Sequence, residues 1–282
     1  MKKLVIVLVI VGIVAAGAIV TQIKPTQINF GTPSPANVTP TPDLRDKEKE
    51  KEIEGLVREA EGTYGVYVYR IKTGETYGIN YESEFEAASM FKLLPLIGAL
   101  RKVENGEWKL NQKFVIQSSD IATGSGPLQF MDPGTEVTLE KILTELGMKS
   151  DNTAWRMLNR LIGMDKMQEI IDGLGMKDSN YKELLTTPYD IGFLWTHIYV
   201  EEIGWRYLTD SIYEDRITLG IPEGTKLIHK VGTDVGVWSD SGIVDNEFIL
   251  VVMTKGAPRS EAEKLVPELT KIVWQNELLN HD

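Results

Sequence analysis

Three short groups of residues in this chain combine types that can acylate a serine without a histidine. Ser89 and Lys92 stand three positions apart, at the start of an apolar run through Phe91, Leu93, Leu94, Leu96, Ile97 and Leu100. Positions i and i+3 of a helix share a face, so the Lys92 amine comes beside the Ser89 hydroxyl. A serine is a poor nucleophile until a base is within hydrogen-bond reach. A lysine can be that base when burial, a helix N-terminus and a second cation lower its pKa. Lys230, in His229-Lys230-Val231-Gly232-Thr233, is the candidate for that cation. Ser150, in Ser150-Asp151-Asn152, can pass a proton between the lysines and a departing amide nitrogen, with no charge of its own to desolvate. Asn152 offers a donor and an acceptor, suited to holding Lys92 and a substrate amide. The backbone N–H groups of Ser89 and Thr233 are candidate oxyanion donors, and Gly232 lets substrate backbone approach closely.

Each group alone is weak. Ser179-Asn180-Tyr181-Lys182 repeats Ser-x-x-Lys, and Ser239-Asp240-Ser241 nearly repeats the middle group. Lys72-Thr73-Gly74 precedes the nucleophile and reads as a hairpin turn. Taken singly, Ser89 and Lys92 would be the exposed start of a helix. What selects the three groups is their order and setting: a nucleophile on an apolar helix, Ser-x-Asn before a helix, and Lys-x-Gly on a late strand.

The elements that must position them follow from residue patterning. A charged helix from about Asp43 continues through Ile53, Leu56, Val57 and Ala60. Tyr64 to Tyr69 is β-branched and aromatic, Lys72 to Glu75 turns, and Thr76 to Ile79 returns, which makes a hairpin. From Ala87 to about Trp205 the chain reads as helical, with loops at Ser118–Pro127 and Met131–Gly134. Strands follow at Thr225–Gly232, Asp240–Val244 and Glu247–Thr254, then a helix over about Ser260–Leu279. The expected fold class is α+β, an α/β sandwich with an antiparallel sheet from N- and C-terminal segments and an inserted all-α subdomain. In numbers, residues 43–84 and 220–282 form the α/β part and 85–219 the helical part, together a domain over 43–282.

Ahead of that domain, Lys2 and Lys3 precede an uncharged apolar run from Leu4 to Val20. The run spans roughly 25 Å as a helix, at the lower limit for a bilayer. Residues 1–20 are read as a signal anchor, in preference to a cleaved signal peptide, with residues 21–42 a Pro/Thr-rich linker. The expected location is extracytoplasmic, anchored to a membrane through the N-terminal segment or secreted.

Net charge is −11, so no basic face is available for phosphates and nucleic-acid binding is excluded. The absence of cysteine removes disulfides, thiolate chemistry and Cys-based zinc sites. His197, His229 and His281 show no metal-ligand spacing and are read as helix surface, strand edge and tail. No glycine-rich nucleotide loop is present. No cofactor and no metal are expected; the expected partner is a small-molecule substrate of a monomeric catalytic domain.

With these motifs in place, the chain resembles the class A β-lactamases and the wider penicillin-recognising serine hydrolases. The resemblance spans roughly Glu48 to Asn276. It is strongest at Ala88–Leu93, at Pro133–Leu139 leading to Ser150–Ala154, and at Thr186-Thr187-Pro188. It implies a β-lactamase/transpeptidase-like fold, an α/β domain joined to an all-α domain with the site between them, and acyl-enzyme chemistry on β-lactams or D-Ala-D-Ala peptides.

Three departures qualify it. Class A enzymes carry a Glu-x-x-Leu-Asn loop before the Thr-Thr-Pro segment, whose glutamate activates the deacylating water. Here only Met176–Leu185 separates Gly175 from Thr186, and Glu183 is the nearest acid at the wrong spacing. Val231 replaces a hydroxyl that usually meets the substrate carboxylate, and Thr233, on the same side of the strand, is placed to compensate in part. The strand Ser239–Val244 has no arginine to help hold that carboxylate. The expectation is a β-lactamase-related serine hydrolase with slow deacylation. The alternatives are a D-Ala-D-Ala carboxypeptidase or penicillin-binding protein, and a non-catalytic cell-wall binding module.

Overall fold

The computed structural model describes residues 44–279. The signal-anchor and linker readings, residues 1–42, lie outside the described residues. Among the described residues, no helix is long and apolar enough to cross a membrane.

Helix α1 (Leu44–Val57) leads into strand β1 (Thr63–Arg70), which turns back as β2 (Thr76–Ile79). The chain then leaves the sheet through β3 (Phe85–Glu86), a 3₁₀ turn over Ala88–Lys92 and helix α2 (Leu93–Glu104). Strands β4 (Lys113–Val115) and β5 (Glu136–Thr138) pair antiparallel ahead of helices α3 (Leu139–Met148), α4 (Asn152–Ile162) and α5 (Met164–Leu174). Strand β6 (Leu185–Thr186) pairs with β3, and α6 (Pro188–Glu201) returns toward the sheet. A short helix α7 (Ile217–Gly220) precedes β7 (Leu227–Asp234), β8 (Val237–Val244), β9 (Phe248–Lys255) and the closing helix α8 (Arg259–Trp274).

The five long strands lie in the order β2-β1-β9-β8-β7, with every neighbouring pair antiparallel. The sheet therefore joins the two ends of the domain around the helical insertion, as the patterning predicts. One sheet face is sealed by α1 and α8 over a core that includes Ile53, Val68, Trp238, Phe248, Leu250 and Val266. Each such side chain contributes about 1.5–3 kcal/mol of transfer free energy, so burial is the dominant favourable contribution here. On the other face, the Trp195 indole of α6 donates to Ser241 Oγ on β8 at 2.9 Å. Helix α2 is buried from Leu93 through Ala99, which matches its nearly continuous apolar sequence.

Three expectations are corrected. The run after Ala87 is interrupted by β4, β5 and β6, each only two or three residues long and too short to show a period of two. Strand β8 begins at Val237 because Val237, Trp238 and Ser239 pair with Asp234, Thr233 and Gly232 across a tight turn at Val235-Gly236. His197, read as helix surface, is buried and packs edge-on against Phe193 within α6; His229, read as strand edge, does lie on the edge strand β7 but is buried facing Asp240.

Candidate active site

Ser89 occupies the 3₁₀ turn, not a regular α-helix. With three residues per turn, positions i and i+3 eclipse, so Ser89 and Lys92 fall on one line more closely than an α-helix allows. Ala88, the residue before Ser89, is held at φ +44°, and Ser150 at φ +52°. Left-handed backbone at a non-glycine residue costs on the order of 1–3 kcal/mol and persists where surrounding contacts enforce it. At Ser150 the enforcing contacts are visible: its carbonyl accepts from Lys92 Nζ at 2.5 Å and from Ser125 Oγ at 2.7 Å.

Lys92 is almost wholly buried. Its amine also donates to Asn152 Oδ1 at 2.6 Å and lies 3.1 Å from Ser150 Oγ. Burial lowers its pKa to about 7, against an opposing pull from Asp151. Burial thus does what the sequence reading partly assigned to Lys230. The effect of the second cation runs the other way: burial lowers Lys230 well below the ordinary lysine value, and the Lys92 charge adds to it. Lys230 Nζ donates to Ser150 Oγ at 2.8 Å, so one hydroxyl bridges both lysines. As a neutral amine, Lys92 has two hydrogens for the Ser150 carbonyl and Asn152, which leaves its lone pair for a hydroxyl proton. Among the described residues the Ser89 hydroxyl has no hydrogen-bond partner, a geometry common before substrate tightens such sites.

The middle motif is held by its own helix and by a glycine-bounded loop. Asp151 caps α4, accepting from Ala154 N at 2.8 Å, while its other oxygen accepts from Leu128 N at 2.8 Å. Asn152 donates to the Thr123 carbonyl at 2.8 Å, and its backbone N–H to the Ser125 carbonyl at 3.0 Å. Only glycine fits at 126, where φ is +86° and a Cβ would stand 2.1 Å from Asp151 Oδ2.

At Gly232 a Cβ would meet the Ala87 carbonyl at 3.0 Å, so this glycine lets β7 approach the turn that carries Ser89. Thr233 Oγ1 accepts from Arg216 at 2.6 Å, which directs its own hydrogen elsewhere. Arg216 is buried beside Trp238, with its guanidinium 3.7 Å from the ring centroid, and donates to the carbonyls of Gly232 and Ser239. The arginine missing from β8 is thus matched by one from the segment before α7.

A cleft of about 470 Å³ brings Ser89, Lys92, Ser150, Asn152 and Thr233 onto one surface, with Arg216 also in its wall. The wall leading to the shortened loop is Leu184 and Trp155, whose indole donates to Tyr181 Oη at 2.9 Å. Glu183 is exposed and lies outside this lining. Three carboxylates do line the cleft, those of Glu86, Asp215 and Asp234. Glu86 is raised in pKa by burial and by its neighbour Asp234, and Asp215 pairs with Arg216.

Residues 48–276 match the model of the beta-lactamase enzyme family. The chain belongs to that family. Among curated relatives, beta-lactamase VEB-1 of Pseudomonas aeruginosa is 23% identical over 262 residues, covering 79% of this chain and 88% of VEB-1. D-alanyl-D-alanine carboxypeptidase DacF of Bacillus subtilis (strain 168) is 25% identical over 152 residues, covering 51% of this chain and 38% of DacF. Among solved structures, a PBP-A mutant captured as an acyl-enzyme complex with penicillin G superposes with a TM-score of 0.75. It is 22% identical and covers 81% of this chain and 96% of that one. The β-lactamase/transpeptidase-like fold is the one expected from the motifs.

For a beta-lactamase-family hydrolase, the sequence motifs located most of the cleft but missed part of its frame. Ser125 lay in a segment read only as a loop; its signal was the flanking pair Gly124 and Gly126, whose positive φ marks close approach. Arg216 carried no spacing signal, since a lone arginine in a polar segment has no pattern to distinguish it.

Proposed function

We propose that this protein is an active-site serine hydrolase of the β-lactamase type in which Ser89 is acylated readily and released slowly. In the acylation step Lys92, as a neutral amine, takes the Ser89 proton as the oxygen attacks the carbonyl. The Ser89 and Thr233 backbone N–H groups receive the oxyanion. Ser150 then hands its proton to the departing nitrogen as it takes the one held by Lys92, 3.1 Å away, while Lys230 keeps its oxygen oriented. Asn152 holds the substrate amide, and Lys230, Thr233 and Arg216 receive its carboxylate.

One observation carries the slow-release part. Asp151, the carboxylate that pulls on the Lys92 pKa, has both its oxygens bound to backbone N–H groups, those of Leu128 and Ala154. Toward the loop the wall offers Leu184 and Trp155, neither of which can take a proton from water. A second reading, D-Ala-D-Ala carboxypeptidase action, is favoured by the same wall, because such relatives work without the loop glutamate; the partial match to DacF supports it. The preserved lysine–serine–asparagine network argues against a purely binding role. An extracytoplasmic location, held by residues 1–20, belongs to the same proposal.

Reacting the protein with a fluorescent penicillin and separating it under denaturing conditions tests both enzyme readings. We expect stoichiometric labelling that Ser89→Ala abolishes. Unlabelled wild-type protein contradicts them.

A further inference from the structure

His229 is buried on β7 next to Lys230, yet its side chain lies on the opposite sheet face. Its Nδ1 is 3.1 and 3.2 Å from the two oxygens of Asp240 on β8, which is fully buried. Asp240 also accepts from Ser241 N at 2.9 Å and from Ile217 N at 3.3 Å. Ile217 directly follows Arg216, so this carboxylate anchors the segment that carries the arginine. Its charge also reaches the Arg216 guanidinium. Asp240 therefore stands between two cationic groups, one a titratable imidazole and the other facing the cleft through Thr233.

We propose that the His229–Asp240 pair is a positioning device for Arg216: a protonated His229 balances the Asp240 charge, so that the positive charge of Arg216, held in place by Gly232, Ser239, Thr233 and Asp215, is available to the carboxylate of the acyl donor. When His229 is neutral, the unmatched Asp240 charge competes with that carboxylate for the guanidinium. On balance, the groups facing His229 favour its protonated form. Burial pulls its pKa down and Lys230 adds to this, but the charge and hydrogen bond of Asp240, with Glu214 at 3.9 Å from Nε2, hold it above the usual value. Carboxylate affinity should accordingly fall on the alkaline side, as His229 loses its proton. Lys92 acts on a different quantity, the rate of the acylation step itself. The inference rests on the acyl-donor reading of the cleft and names how that site holds its substrate's charge.

Coupling of this kind is reciprocal, which gives a test that needs no catalysis. In the Ser89→Ala protein, the His229 imidazole is titrated by NMR with and without saturating benzylpenicillin. We expect the ligand to raise the His229 pKa, and the methyl ester of the same penicillin to leave it unmoved. Bound penicillin with no shift overturns the proposal. So does a failure to bind penicillin at all, because Arg216 then receives no carboxylate.

A kinetic arm uses the wild-type protein and His229→Asn, which keeps an N–H for Asp240 but cannot gain a proton. For a carboxylate-bearing cephalosporin, the wild-type KM should rise about tenfold on the alkaline side, the scale of one charged hydrogen bond. His229→Asn should show the raised KM at every pH with its limiting acylation rate within about twofold of wild type, as expected when a contact made equally in the ground and transition states is lost. A variant with the wild-type KM profile, or an equal change for the ester, contradicts the device. Absence of any covalent product in the wild type contradicts the acyl-enzyme reading instead, and the NMR titration still decides the role of His229.

Discussion

Lys230 Nζ donates to Ser150 Oγ at 2.8 Å, although the two residues are eighty positions apart in the chain. This contact joins the sheet to the helical part and places one hydroxyl between two lysines of lowered pKa. Because Lys230 occupies one lone pair of that oxygen, the Ser150 hydrogen is directed toward Lys92 or toward a leaving group. Ser150→Ala should therefore slow acylation by at least about a hundredfold, the lower end for a positioned proton donor. Stopped-flow acylation kinetics check this. A loss under threefold would remove Ser150 from the proton path.

The acylation rate should follow the protonation of Lys92. Its pKa is lowered to about 7, and only the neutral amine can accept the Ser89 proton. The limiting rate should rise with pH through a midpoint near that value and then level off. The same depressed value means that the fold favours the neutral amine, so the stability contribution from this site grows as pH rises above the midpoint. A pH profile of single-turnover acylation that is flat across neutrality would show that another group is the base.

The cap at Asp151 should matter to stability more than to chemistry. Asp151→Ala removes the N-cap acceptor of α4 and strands the Leu128 N–H, together costing about 2–4 kcal/mol. Chemical denaturation measures the loss directly. The lesser change Ser125→Ala, which removes one bond to the Ser150 carbonyl, should cost about 1 kcal/mol.

Glu183 should be dispensable. It is exposed and absent from the cleft wall, so Glu183→Gln is expected to leave the deacylation rate within about twofold of wild type, as for a solvated surface change. A drop of tenfold or more, measured by recovery of free enzyme after penicillin removal, would assign it the water-activating role.

That Ser89, both lysines, Ser150 and Asn152 come together was legible because their spacing within each motif is local and their order along the chain is fixed by topology. The antiparallel sheet was legible for a related reason: long β-branched runs such as Phe248–Val252 show their type over several residues. What stayed hidden depends on long-range packing. Arg216 reaches Thr233 from the segment before α7, a helix that packs on α8, and no sequence period records that. His229 looked like an ordinary strand residue; its burial against Asp240 is set by the β7–β8 register. The 3₁₀ form of the Ser89 turn was equally invisible, since its apolar run suits either helix. Gly232 was read as giving room to substrate backbone; the atom a Cβ there would meet is the Ala87 carbonyl oxygen, set by how β7 packs on the Ser89 turn.

The most direct test of the central claim is intact-protein mass spectrometry, followed over time after mixing with benzylpenicillin. A mass increase equal to one intact penicillin should appear quickly, map to Ser89, and persist long after free penicillin is removed. Rapid return to the unmodified mass would contradict slow release. A persistent adduct in Ser89→Ala would contradict the assignment of the nucleophile.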